Sequence, residues 1–315
     1  MSTVTPAAAA QTQAPSAPTG KAQITDRARK ERRLGWMLAG PAFFLMVAVT
    51  LYPILNAVYL SLFDYRLTDP DGRRFVFLGN YATILTDGLF WRQFGVTAGI
   101  TIVTVVVELV LGFILAMVMH RAFLLRRTLR TAILIPYGII TVVSAYGWQY
   151  AFAADSGFIN TLFNIDTDWF GSTFPALFVI CLSEIWKTTP FMSLLLLAGL
   201  AQIPDDYLEA AEVDGATAWQ RLTRVILPNM KAAIMVAVLF RTLDVFRIFD
   251  NVFIMTAGAQ NTETLSFLAY RQTISRVMIG LGSAVSVILA ILVVLIAVMF
   301  IKGFKTNLAQ ARGEG

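Results

Sequence analysis

The sequence predicts an all-α integral membrane protein of six transmembrane helices, and three observations carry that expectation. Hydrophobic residues make up 57% of the 315-residue chain and charged residues 14%, against roughly 25% charged residues in soluble domains. Mean hydropathy is +0.67. Six apolar stretches, 36–60, 94–119, 131–153, 174–200, 232–256 and 277–301, reach the roughly 20 residues that a helix needs to cross a bilayer. Barrel strands are about half that length and alternate in polarity; these stretches do not alternate.

The chain opens with 20 residues rich in Ala, Pro, Thr, Ser and Gln and no charge before Lys21. Such a composition cannot bury a core, so residues 1–35 are expected to form a disordered cytoplasmic tail. The first apolar stretch starts far from the N-terminus and is long enough to span, so it reads as a retained helix rather than a cleaved signal. Residues 36–301 then form the membrane domain, and 302–315 a second cytoplasmic tail. Of the 25 Lys and Arg residues, sixteen fall on one side of this topology, six on the other, and Lys187, Arg241 and Arg247 inside spans. The positive-inside rule places both termini in the cytoplasm, and an even number of spans agrees. The outward segments near 64–91, 154–173 and 257–276 are too short for an extracellular domain.

One cysteine, Cys181, and one histidine, His120, occur in the chain. They exclude an intrachain disulfide and any Cys-based or His-paired metal site. Cys181 reads as a small packed residue and His120 as an interfacial polar one. No catalytic or metal-binding set is expected. The net charge of +5 sits at span ends rather than on one soluble face, which suits membrane orientation and not nucleic acid.

Between spans four and five, residues 201–228 are polar and patterned. Pro204 and Asp205 suit a helix start. Leu208 and Ala211, with Ala210 beside them, make a small apolar face among acids, and Gly215 interrupts the helix at a cost of about 1 kcal/mol relative to Ala. A second short helix carries Trp219, Leu222 and Val225, and Pro228 precedes the next span. By itself this pattern fits a compact cytoplasmic knob or an ordinary interfacial connector.

The fifth stretch contains Arg241, Asp244, Arg247 and Asp250, one charge every third residue. Each costs about 2.5 to 3.5 kcal/mol at a helix centre facing lipid, so all four must face protein or water. Alternating signs at that spacing allow partial pairing. Asp244, Arg247, Asp250 and the adjacent Asn251 could hydrogen-bond sugar hydroxyls, and Phe246, Phe249 and Phe253 could stack on sugar faces. Arg241 lies deeper and reads as structural. In the fourth span Glu184 and Lys187 invite the same weighing between solute pathway and structural ion pair. Glu108 in the second span reads as bonding within the bundle.

Glu209-Ala210-Ala211, then Gly215, then Leu227-Pro228, resembles the EAA loop of ABC importer permeases, with Val225 where Ile is usual. Ile203-Pro204 and Asp214-Gly215 match the sugar-type, MalF-like branch. Looser matches run along the chain: Tyr52-Pro53, Ser61, Leu78-Gly79-Asn80-Tyr81, Pro136, Trp148, Phe152, Gly157, Asn160 and Phe249-Asp250. Ala257-Gly258-Ala259 replaces the usual Gly-Gly-Pro, and Val96-Thr97 a frequent Asn-Thr. The resemblance implies a bacterial plasma-membrane permease subunit importing a sugar, a disaccharide such as trehalose. Glu209, Ala210, Ala211, Asp214 and Gly215 would then couple to two copies of a separate ATPase. A second permease subunit, an extracytoplasmic solute-binding lipoprotein and lipid complete the implied partners.

No Gly-x-x-x-x-Gly-Lys-Ser/Thr phosphate loop occurs in the sequence, and the pair Gly20-Lys21 is followed by Ala22. ATP and magnesium are therefore expected in the partner ATPase, with no cofactor on this chain. An ion-gradient-driven secondary transporter is the alternative that intramembrane charges alone would permit. It would more often show two halves of matching hydropathy, which are not evident here. A membrane-embedded enzyme would be left with carboxylate or hydroxyl chemistry only.

Overall fold

The computed structural model describes residues 26–121 and 126–311. Contacts divide the chain into two compact units, 1–54 and 55–315. Helix α1 (Asp26–Ser61) runs across that division and carries Pro41 and Pro53 within it. Its start at Asp26 lies ten residues before the boundary expected for a disordered tail; residues 1–25 of that tail lie outside the described residues. The run 26–33 is mostly Arg, Lys, Glu and Ala, which are good helix formers.

The second unit begins with the end of α1 and a two-stranded antiparallel hairpin, β1 (Phe63–Arg66) and β2 (Asp69–Phe75), paired Phe63 to Phe75 and Asp64 to Arg74. The hairpin departs from the all-α expectation. The Arg73 guanidinium sits 4.1 Å above the Phe63 ring and 5.0 Å from that of Tyr59, a cation–π cluster that fixes the hairpin against the helix end. The motif residues there have local structural roles. Asn80 donates to the Ser61 and Phe63 carbonyls at 2.7 and 2.8 Å, and the Ser61 and Tyr81 hydroxyls lie 2.6 Å apart.

Helices α2 (Gly79–Thr86), α3 (Gly88–Arg121), α4 (Arg126–Gly138), α5 (Thr141–Ala151) and α6 (Phe158–Phe163) follow, then α7 (Thr173–Leu200). Among the described residues, four helices are long and apolar enough to cross a membrane: Arg33–Ser61, Gly88–Arg121, Thr173–Leu200 and Ile279–Gly303. These coincide with the first, second, fourth and sixth expected spans. The third is not one straight helix. Thr128–Gly138 and Thr141–Ala151 meet at 84°, where Pro136 disturbs the ladder and Gly138 allows the turn.

The fifth expected span is also interrupted. After α8 (Asp205–Val213), α9 (Ala218–Arg221), a π-helical turn at Leu222–Ile226 and α10 (Leu227–Asn229), helix α11 covers only Lys231–Val245. Four residues, 246–249, leave the helix before α12 (Asp250–Met255). The four charges therefore do not share one helical face: Arg241 and Asp244 lie on α11, Arg247 in the break, and Asp250 at the start of α12. Helix α13 (Leu265–Tyr270), a π-helical turn at Arg271–Ser275 and α14 (Ile279–Ala311) complete the chain.

Helix α7 is the centre of the bundle, with Val179, Ile180, Met192 and Leu196 fully buried. It packs on α3 through Gly112, where an added Cβ would stand 2.8 Å from the Met192 side chain and 3.2 Å from the Ser193 nitrogen. It packs on α11 through Gly199, where an added Cβ would collide with Ala233. Small residues bring helices together where no hydrophobic effect drives them.

Candidate functional site

Arg241 organises the middle of the bundle. Its side chain is fully buried and donates from Nε to Glu108 Oε2 at 2.7 Å, and from Nη2 to Glu108 Oε1 at 2.9 Å and Glu184 Oε1 at 3.1 Å. Nη1 pairs with Asp244, one helical turn on. The Thr188 hydroxyl accepts from Nη2 at 2.9 Å and lies 2.7 Å from Glu108 Oε1. The alternating-sign spacing thus yields one pair within α11, while the other two carboxylates come from α3 and α7. Burying a charge costs several kcal/mol unless it is paired and hydrogen-bonded, and the five N–H donors of one guanidinium suit this task.

The network borders a cavity of about 440 Å³ lined by residues of α4, α5, α7, α11, the 246–249 break and α12. Seven of the nine residues considered for a solute pathway line it, namely Glu184, Lys187, Asp244, Arg247, Phe249, Asp250 and Asn251, and Phe246 and Phe253 do not. Asn251 donates to Glu184 Oε2 at 2.8 Å, so Glu184 is held by Arg241 on one oxygen and by Asn251 on the other. The Asp244 side chain is 64% exposed although it pairs with buried Arg241, because it reaches from the network into the cavity. Arg247 anchors its Nε to the Leu243 carbonyl at 3.0 Å. The Lys187 ammonium lies 5.7 Å from the Tyr137 ring centroid, and that ring stacks on Phe191 at 5.3 Å.

Tyr137, Thr141, Thr188 and Ile248 also line the cavity and were not singled out in the sequence. Tyr137 and Thr141 arrive there through the 84° bend, to which Pro136 and Gly138 were the available signal. Phe246 does not reach the cavity; it is buried in a different cluster, edge-on to Phe94 at 6.3 Å. Phe249 instead stacks with Phe253 at 5.3 Å and packs against Tyr270 at 5.2 Å. Gln149 on α5 donates to the Ile254 carbonyl at 2.8 Å, tying the end of α12 to the bent third segment.

The 201–228 segment forms two short helices joined at Gly215. Pro204 precedes α8, and Asp205 and Asp206 occupy its first turn, where acids favour the positive end of the helix dipole. Leu208 and Ala211 are half-buried, whereas Glu209, Ala210 and Asp214 are exposed. Gly215 adopts φ +75°, a left-handed conformation that ends α8 and that only glycine adopts without strain. Thr217 starts α9 with a reciprocal capping box: Gln220 N donates to Thr217 Oγ1 at 3.3 Å and Thr217 N donates to Gln220 Oε1 at 2.8 Å. The Thr-x-x-Gln spacing carried that signal in the sequence. Tyr207, Val213 and Trp219 stand exposed beside these turns.

Residues 108–311 match the family described as "Binding-protein-dependent transport system inner membrane component". The chain belongs to this family. The permease is 52% identical over 274 residues, 87% of its own chain and 89% of the relative, to the "Trehalose transport system permease protein SugA" of Mycobacterium tuberculosis. It is 33% identical over 279 residues to the "Trehalose/maltose transport system permease protein MalF" of Thermococcus litoralis, covering 94% of that protein. A chain of a solved bacterial ABC transporter for import of the acidic polysaccharide alginate shares its fold, with a TM-score of 0.76 at 18% identity, across 89% of the permease and 99% of that chain. The permease is thus a multi-pass inner-membrane transport component of an ABC importer, and the ATPase of such a system is a separate chain.

Proposed function

We propose that the permease forms half of the import pathway for a disaccharide, trehalose, and that the cavity beside the α11–α12 break is part of that pathway. The convergence of seven polar, charged and aromatic residues on one intramembrane cavity supports this reading most directly. Asp244, Asp250 and Asn251 offer the acceptors and donors that sugar hydroxyls require, and Phe249 offers a ring face. Non-helical backbone inside a membrane is tolerated where it lines a cavity, as the 246–249 break does. The high identity to a trehalose permease supports the choice of solute.

In this reading the chain crosses the membrane six times, with the third and fifth crossings broken and both termini cytoplasmic. Helices α8 and α9 face the cytoplasm, and Glu209, Ala210, Ala211, Asp214 and Gly215 engage an ATPase that carries ATP and magnesium. A second permease subunit, a second ATPase copy and an external solute-binding protein complete the transporter. ATP-driven closure of the ATPases moves α8 and α9 and switches the cavity's access.

Uptake of labelled trehalose by proteoliposomes containing the whole transporter tests this reading. Asp250→Ala is expected to lower uptake about tenfold or more, the effect of losing one or two good hydrogen bonds, while the subunits still co-purify. Unchanged uptake would remove Asp250 from the pathway, and a preference for another sugar would remove trehalose.

A further inference from the structure

A second cavity, of about 280 Å³, lies under α8 and α9 where two long apolar helices end. Arg121 is the last residue of α3 and Leu200 the last of α7, so the cavity sits at the shared end of both helices. Its lining divides by chemistry. Met117, Leu200, Leu222 and Ile226 supply an apolar floor, and Arg121 and Arg221 supply two guanidinium groups. Arg221 pairs with Glu212 at 3.1 Å, but that carboxylate is 71% exposed, so the two arginines keep an excess of positive charge at the site.

We propose that this cavity binds the headgroup phosphate of an anionic phospholipid, with Arg121 and Arg221 on the phosphate and the start of an acyl chain over Met117, Leu200, Leu222 and Ile226. The inference rests on the cytoplasmic placement of α8 and α9 proposed above. Guanidinium forks match phosphate oxygens in bidentate geometry. The cytoplasmic leaflet is the anionic one, and basic pockets between helices there attract its headgroups. A soluble phosphate would have no use for the apolar floor, whereas a lipid needs both halves. The volume lies near the lower bound of small-molecule sites, about 300 to 1,000 Å³, which suits a headgroup and the first methylenes with the remaining chain outside. Trp219, 71% exposed beside the cavity, is the residue type that settles at headgroup level. A lipid held there lies between the helix bundle and the two short helices, so it takes part in passing their movement to the bundle.

The test uses the whole transporter in nanodiscs of phosphatidylcholine with and without phosphatidylglycerol, and counts retained lipid by native mass spectrometry. The wild type is expected to retain phosphatidylglycerol, and Arg121→Gln to retain about tenfold less. Met117→Trp, which fills the apolar half from α3 and leaves the α8–α9 surface untouched, is expected to lose it similarly and to carry the test if Arg121→Gln does not assemble. Solute-stimulated ATP hydrolysis should rise with phosphatidylglycerol in the wild type and not in either variant. Equal lipid retention by wild type and both variants overturns the proposal, as does full restoration by inorganic phosphate in phosphatidylcholine alone. ATPase subunits in the same spectra keep the two readings apart: a wild-type transporter that keeps its ATPase but retains no phosphatidylglycerol overturns the lipid site and leaves the coupling role of α8 and α9 standing.

Discussion

Arg241 on α11 grips Glu108 on α3 with two parallel contacts, Nε to Oε2 at 2.7 Å and Nη2 to Oε1 at 2.9 Å, and neither side chain touches solvent. Removing one partner leaves the other as an uncompensated buried charge, which costs about 3 to 5 kcal/mol. Arg241→Ala should be the more damaging change, since it also strips Glu184 of its cation. Arg241→Lys should be intermediate, because an ammonium cannot serve the two Glu108 oxygens as a planar fork does. Thermal unfolding of the detergent-solubilised protein measures the order. Wild-type stability in Glu108→Ala would show that the pair contributes nothing to holding α3 to α11.

At Gly112, α3 lies close against α7. Gly112→Leu must displace Met192 or the backbone at Ser193, and overpacking of this kind costs about 1 to 3 kcal/mol. Gly95→Leu, on the same helix with nothing within 4 Å of an added Cβ, is the control and should be tolerated. Similar yields and melting temperatures for the two variants would refute the close contact.

Gly215 separates two effects that a single substitution would confound. Gly215→Ala adds only a methyl group at φ +75° with nothing within 4 Å of it, so its cost is backbone strain of about 1 to 2 kcal/mol. Gly215→Asp adds that strain and a charge in the proposed ATPase contact. Pull-down of the ATPase should be reduced in the first variant and abolished in the second, with both chains still inserted. Full pull-down by both would remove the segment from ATPase coupling.

Glu263 lies between α12 and α13, outside the long spanning helices. It pairs with Arg271 at 2.9 Å and accepts from Gln93. Burial pushes its carboxyl up from the ordinary value of 4.5, against the opposing pull of Arg271. The folded state therefore binds its proton more tightly than the unfolded chain. Its stabilising contribution is complete below 4.5 and is lost as pH rises through the folded value. Glu263→Gln, neutral throughout, lacks this dependence. Between acid and neutral pH the melting temperature of the wild type should fall relative to that of the variant, and parallel pH profiles would contradict the assignment.

Hydropathy alone located the four unbroken spans, because a helix in lipid satisfies its backbone internally and needs no knowledge of its neighbours. The same criterion was blind to the breaks in the third and fifth. No charge interrupts the segment around Ile139 and Ile140, so only Pro136 and Gly138 marked the bend. At 246–249 there is neither Gly nor Pro, and the charges at Arg241, Asp244, Arg247 and Asp250 showed that the segment was not an ordinary lipid-facing helix without marking where it breaks. Polar residues inside spans are costly enough to be conspicuous, which is why Glu184, Lys187, Asp244 and Asn251 could be singled out before their meeting was known. Tyr137 and Thr141 could not, since their place at the cavity depends on an angle between two helices. The phenylalanines show the limit from the other side: Phe246, Phe249 and Phe253 looked alike in the sequence, and only Phe249 lines the cavity. The hairpin at 63–75 lacks the strict alternation that announces a strand, and its stability comes from Arg73 among aromatic rings.

Glu184 accepts from Arg241 of α11 through one oxygen and from Asn251 of α12 through the other. The two pieces of the interrupted fifth segment are therefore pinned to a common point on a third helix as well as joined by their own backbone. Each oxygen of that one carboxylate serves a different piece, so loss of Glu184 would release both at once, while α11 keeps its own tie to Glu108 of α3. The arrangement is a clasp set midway along the segment, supplied by a neighbour.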